Sequence, residues 1–158
     1  MAGKLIFLDL DGCINNRTTM DRFPSFDEDS IYVVEPSCMK ALNRIMEETG
    51  AMVVVSSTWR FQWPARSLMQ MALSARGFHG LVEGCTPRLP GEVTRGREIQ
   101  AWLNDHNGPR QWPNPKFVVI DDDSDISPFE DRFVHTNFEF GLTEEDADKA
   151  IALLGKVK

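Results

Sequence analysis

Cysteine is scarce in this chain, and its placement excludes more than its number does. Cys13, Cys38 and Cys85 are odd in count, widely spaced and form no C-x-x-C pair. Neither a disulfide framework nor a structural zinc site is therefore expected, and a reducing cytoplasm is the expected compartment. No apolar run approaches membrane-spanning length, and the one that follows Lys4 is too short for a signal-peptide core, so no membrane partner is expected. Positive charge is also in short supply. Seventeen Lys and Arg stand against 24 Asp and Glu, a formal net charge of -7, which argues against a broad footprint on duplex nucleic acid while leaving local basic contacts open. His79, His106 and His135 show no metal-ligand spacing and read as surface or packing residues. Repeats, low-complexity tracts and a convincing linker are all missing. With 158 residues and 42% hydrophobic content, one domain over residues 1–158 is expected.

What is present alternates between strand and helix patterns. Residues 4–9 read as a buried strand, and residues 13–35, rich in Asn, Asp, Ser and Pro, as an irregular flap over the site. From Pro36 a helix carries Met39, Leu42, Ile45 and Met46 inward and stops at Gly50. Residues 51–55 form a second strand. A helix over about 64–76 presents Ala65, Leu68, Met69 and Ala72, and Gly77 suits a left-handed turn after it. Leu81 and Val82 suggest a short strand, residues 94–106 a helix with Ile99, Trp102 and Leu103 inside, and residues 116–120 a third clear strand. Residues 132–135 make a weaker fourth, and a closing helix starts at Thr143, with Asp146 completing a capping box. Apolar strands alternating with helices predict parallel crossovers, hence a three-layer, Rossmann-like α/β sandwich with a mostly parallel sheet. Ligands of such sheets bind outside the carboxyl ends of the strands.

Each clear strand ends in chemistry there: Asp9 and Asp11, then Ser56 and Ser57, then Asp121 and Asp122. In D-L-D-G-C the two acids are two apart, so an extended backbone turns both to one side, and Gly12 then permits a sharp turn. Two such acids suit phosphoryl transfer, one attacking phosphorus and the other exchanging a proton with the leaving oxygen. A strand followed by a merely acidic turn is the competing reading of that motif alone. A hydroxyl from Ser56 or Ser57 binds a phosphate oxygen without adding negative charge, and Arg95 or Arg97 offsets charge on the transferring group. Trp59 and Arg60 admit two readings: an exposed indole stacking a base with Arg60 on a second phosphate, or a Trp packed under its loop with Arg60 in an ion pair. Asn15, Asn16 and Arg17 are either substrate contacts or solvated loop.

These elements, in this order, resemble the haloacid dehalogenase (HAD) superfamily of phosphotransferases. The resemblance implies Asp9 as the nucleophile that becomes an aspartyl phosphate and Asp11 as general acid and then base. It implies Ser56, or Ser57 with the alignment shifted by one, as the phosphate hydroxyl. Arg95 matches the basic position best because it precedes Gly96, although Lys is commoner there. Asp121 and Asp122 would complete a Mg2+ site with Asp9 and the backbone around Leu10 and Asp11; a hard cation of this kind fits carboxylates better than zinc does. A narrower resemblance, carried by FLDLDGCIN, TGAMVVVSSTWR, TRGREIQAWL, FVVIDDDSD and FGLT, is to the small branch associated with Swiss Army Knife RNA-repair proteins. The intervals between motifs leave no room for a full cap domain. The implied activity is a Mg2+-dependent phosphomonoesterase acting on an RNA or DNA end or a nucleotide. A small-metabolite phosphatase and a silent binding domain are the alternatives, and Asp11 argues against a dehalogenase proper.

Overall fold

The computed structural model describes residues 3–22, 33–106 and 112–157. Five strands, β1 (Lys4–Leu8), β2 (Met52–Val55), β3 (Val82–Cys85), β4 (Lys116–Asp121) and β5 (Phe133–His135), form one sheet in the order β3-β2-β1-β4-β5. Every pairing is parallel. The crossovers carry α2 (Pro36–Thr49), α3 (Arg66–Ser74) and α4 (Arg95–His106), and α5 (Glu144–Leu154) closes the chain. The chain thus has a Rossmann-like α/β fold with helices on both faces.

Alternation along β1 explains the two faces. Ile6 and Leu8 pack with Leu42 and Ile45 of α2, Leu73 of α3 and Ala147, Ile151 and Leu154 of α5. Leu5 and Phe7 turn the other way, onto Ile99 and Trp102 of α4 with Phe117, Ile126 and Phe129. All four β1 residues Leu5 to Leu8 are fully buried, which is why this strand reads as a continuous apolar run.

The local signals behave as their physics requires. Gly50 closes α2 in the left-handed region at φ 71°, and Thr143 and Asp146 exchange the two hydrogen bonds of a capping box. In α3 the inward positions are Met69, Ala72 and Leu73; Leu68, expected inside, is 44% exposed. The helix begins at Arg66 rather than at Pro64, and Leu73, four residues after Met69, shares its buried face. Within the stretch read as an irregular flap, α1 (Arg17–Arg22) is helical because Asn16 Oδ1 accepts from the Thr19 amide and caps it. Residues 23–32 of that stretch lie outside the described residues. Asn15 is buried and holds the Gly12 amide, and Arg17 pairs with Glu139.

Gly96 fixes how close α4 comes to the site. A Cβ there would collide with the Ser127 carbonyl oxygen, while the Arg95 and Gly96 amides bond the Asp125 carboxylate and carbonyl. Gly96→Ala is expected to destabilise the fold by about 1–3 kcal/mol because backbone must move, and to displace Arg95 with it. Urea titration of the purified variant checks this; an unchanged midpoint would show that the first turn of α4 is not so constrained.

Candidate active site

The ladder continues one residue beyond the named strand ends. The Asp9 amide bonds Ile120 O, the Ser56 amide Leu8 O and the Thr86 amide Val55 O. Thr86, Ser56, Asp9 and Asp121 therefore stand side by side along the carboxyl edge. Leu8, Val55 and Ile120 belong to the α2/α5 face, so the next residue on each strand turns toward the α4 face, where Arg95 begins the helix.

Asp9, Asp121 and Asp122 each offer a carboxylate oxygen within 4.8 Å of the others. Asp121 is completely buried: Oδ1 accepts from the Asp123 amide at 2.9 Å, and Oδ2 accepts no hydrogen bond. Arg95 reaches in with Nε 3.5 Å from Asp121 and Nη2 4.0 Å from Asp9. Asp9 Oδ1 is steadied by the Leu10 amide at 2.9 Å. Asp122 is positioned from two sides: His135 Nε2 donates to its carbonyl at 2.9 Å, and a side chain at Gly12 would strike its carboxylate. Gly12 also holds φ at 80°, so both the turn and the close approach require glycine.

The electrostatics follow from crowding and burial. Desolvation, and then the neighbouring Asp121, push the Asp9 carboxyl well above its ordinary range, against a smaller opposing effect of Arg95. Asp121 rises from 3.8 to about 6, again chiefly through burial, with the Asp123 amide and Arg95 opposing. One guanidinium does not neutralise three carboxylates. A buried carboxylate oxygen that accepts no hydrogen bond and has only the Arg95 guanidinium at 3.5 Å against it, in an all-oxygen, negatively charged donor set, fits a hard divalent cation, and Mg2+ matches that chemistry.

Asp11 lies outside this cluster. Its Oδ1 accepts from Trp59 Nε1 and from Asn15 Nδ2, both at 3.0 Å, so two donors orient the carboxylate. The side-chain cluster is thus Asp9, Asp121 and Asp122, and the Asp11 carboxylate is held apart from it by these two hydrogen bonds, which leaves the expected contribution of the Leu10 and Asp11 backbone untouched. Of the two readings of Trp59, the structure matches the packed one. At 1% exposure it offers no face to a base, and its role is to hold Asp11. Arg60 is buried against Glu98 at 2.6 Å and donates to Ser57 O, the ion-pair alternative. Ser57 Oγ caps the 3-10 turn Thr58–Phe61 by accepting from the Trp59 amide, whereas Ser56 Oγ is buried with no partner. Arg97 is exposed and lines a separate groove with Leu89 and Val93.

Sequence reasoning missed Asp125, which seats α4, and Asn15 and Trp59 as the donors to Asp11. The first had a signal in D-D-D-S-D, but its target is 30 residues away in the chain. None of the three histidines joins the acidic cluster.

Among the described residues no helix is long and apolar enough to cross a membrane. No curated protein and no solved structure matches the chain. A family model does: that of the HAD domain in Swiss Army Knife RNA repair proteins, over residues 5–147. The match runs from β1 into α5 and takes in the whole carboxyl-edge row, so the chain belongs to this HAD family.

Proposed function

We propose that this protein is a Mg2+-dependent phosphomonoesterase that works through an aspartyl phosphate on Asp9, and that its substrate is a nucleic-acid terminus or a nucleotide. The observation that carries the reading is the buried Asp9, Asp121 and Asp122 cluster with Arg95 against it, at the edge where this sheet presents its ligands. Asp9, Asp121 and Asp122 would hold Mg2+, which when bound offsets negative charge on the transferring phosphoryl group. An Asp9 carboxylate oxygen attacks phosphorus as the bond to the leaving oxygen breaks, and Asp11 gives that oxygen a proton. Water then attacks the acyl phosphate while Asp11 takes its proton back, which frees phosphate and regenerates Asp9. Ser56 Oγ, buried and unpartnered, donates to a nonbridging phosphate oxygen, and Arg95 pairs with another.

A phosphate-release screen over 3'- and 5'-phosphorylated oligonucleotides, nucleotides and sugar phosphates tests this function. Preference for base-bearing substrates supports it, and equal turnover of sugar phosphates redirects it to small metabolites. The proton role has its own signature. Asp11→Asn is expected to slow alkyl phosphate hydrolysis by about 10²–10⁴-fold and an activated aryl phosphate far less, because the aryl oxide leaves without a proton. Equal losses on both would contradict the assignment. Trp59→Phe removes one of the two donors to Asp11 while keeping an aromatic ring, and is expected to slow alkyl phosphate turnover more than aryl phosphate turnover; an equal effect on both would show that Trp59 does not act through Asp11.

A further inference from the structure

Two cavities flank the pair formed by Phe61 and Arg88. One, of about 220 Å³, is lined by Thr58, Arg60, Phe61, Arg88 and Glu98 and reaches Arg95 itself. The other, of about 430 Å³, is lined by Arg60, Phe61, Arg88, Cys85 and Thr86. From Arg95, which stands against the acidic cluster, the two cavities therefore lead over the 3-10 turn and the loop that follows β3.

That cleft is equipped for an anion. The Arg88 guanidinium lies 4.4 Å from the centre of the Phe61 ring and forms no ion pair with a carboxylate among the described residues. Phe61 is 48% exposed, so the ring serves as a shelf under the guanidinium at the surface. The one carboxylate in the lining, Glu98, is already paired with Arg60 at 2.6 Å. Thr86 adds a second donor. It is 97% buried by its 3% exposure, stands next to Ser56 in the carboxyl-edge row, and its Oγ1 has no hydrogen-bond partner. A buried hydroxyl without a partner is costly unless a ligand supplies one.

Building on the phosphatase reading, we propose that Arg88 and Thr86 form a subsite for a second phosphate of the substrate, distinct from the phosphate attacked by Asp9. Arg95 serves the reacting phosphate, and Arg88, across the smaller cavity, serves the other. A substrate with a base-bearing unit between two phosphates meets that requirement, either as a polynucleotide end with its next phosphodiester or as a free nucleoside bisphosphate. The same arrangement explains how a protein of net charge -7 handles a polyanion: it uses one local cationic rim.

The test measures binding with Asp9→Asn protein, which retains ligand, by anisotropy of a labelled 5'-phosphorylated oligonucleotide and by competition with a nucleoside 3',5'-bisphosphate and a nucleoside monophosphate. Arg88→Ala is expected to weaken the two-phosphate ligands about 10-fold, and the monophosphate less than about 2-fold, since a charge-assisted pair is lost only where there is a second phosphate. The salt slope of oligonucleotide binding should drop by about 0.7, one single-strand phosphate contact, and Arg88→Lys should restore it. Thr86→Val, nearly isosteric, should weaken the same ligands in the same selective way. An oligonucleotide held more tightly than the bisphosphate assigns the subsite to a polymer end, and equal affinities assign it to a free nucleotide. Equal losses for one-phosphate and two-phosphate ligands, or none, overturn the subsite. Phosphate release by the wild-type protein is scored separately, so a wild type that releases phosphate while Arg88→Ala binds normally defeats only the subsite. A wild type that neither binds nor hydrolyses any of the three defeats both.

Discussion

Asp9→Asn is expected to lower phosphate release by about 10⁴-fold or more, because the amide is nearly isosteric with the carboxylate but does not attack phosphorus. The same substitution should stabilise the metal-free fold. Burial and the neighbouring Asp121 hold the Asp9 carboxyl well above its ordinary range, so the native state resists its ionisation, and a neutral amide removes that conflict. Loss of activity with a raised melting temperature in EDTA therefore distinguishes removal of a nucleophile from damage to the fold. Normal turnover by purified, Mg2+-supplied Asp9→Asn protein would remove Asp9 from its proposed role. A lowered melting temperature would show that the carboxylate is needed structurally.

Asp121→Asn carries the second large effect, on the metal and on pH dependence together. The folded-state pKa of Asp121 is raised from 3.8 to about 6, so between those values the native protein keeps a proton that the unfolded chain has released. The sign follows directly. Stability from this group is greatest below the unfolded value and falls as pH rises through the folded one, by about 3 kcal/mol at most. Metal-free protein should accordingly melt at lower temperature at pH 7 than at pH 5, and Asp121→Asn should flatten that difference. Added Mg2+ should reverse the trend in the wild type, since a cation binds the ionised carboxylates and gains affinity as protons leave. In Asp121→Asn, Mg2+ affinity should fall at least about 10-fold by the second-ligand logic of carboxylate sites. Calorimetric titration together with melts at pH 5 and pH 7 checks both halves. Unchanged Mg2+ affinity in the variant would mean that this carboxylate is not a ligand, and an unchanged pH slope that it is not the titrating group.

The pairing of Trp59 with Asp11 changes how the neighbourhood of the phosphate hydroxyl is understood. W-R directly after S-S-T reads equally well as a recognition surface or as support, because one sequence position does not specify which side of a turn faces solvent. The 3-10 turn Thr58–Phe61 rotates Trp59 and Arg60 inward and leaves Phe61 outside. Trp59 thus orients a carboxylate, and the exposed aromatic is the one sequence reasoning passed over.

By itself the sequence determined the layers and the edge. Continuous apolar runs at residues 5–8, 53–55 and 117–120 belong to strands buried on both faces, and helical periodicity between them forces parallel crossovers. Strand ends then collect Asp9, Ser56 and Asp121 at one edge, since parallel strands in register share it. These are local or period-based facts, and a single chain carries them openly. Only the tertiary structure decided what long-range contact alone can set. It paired Trp59 with Asp11 across 48 residues, seated Arg95 rather than Arg97 against the acids through Asp125 and Gly96, and left Ser56 rather than Ser57 with an unused hydroxyl. The physical reason is common to all three. Neighbouring residues of like chemistry are interchangeable in a pattern, and the choice between them is made by direction, by burial and by partners that the fold brings from elsewhere in the chain.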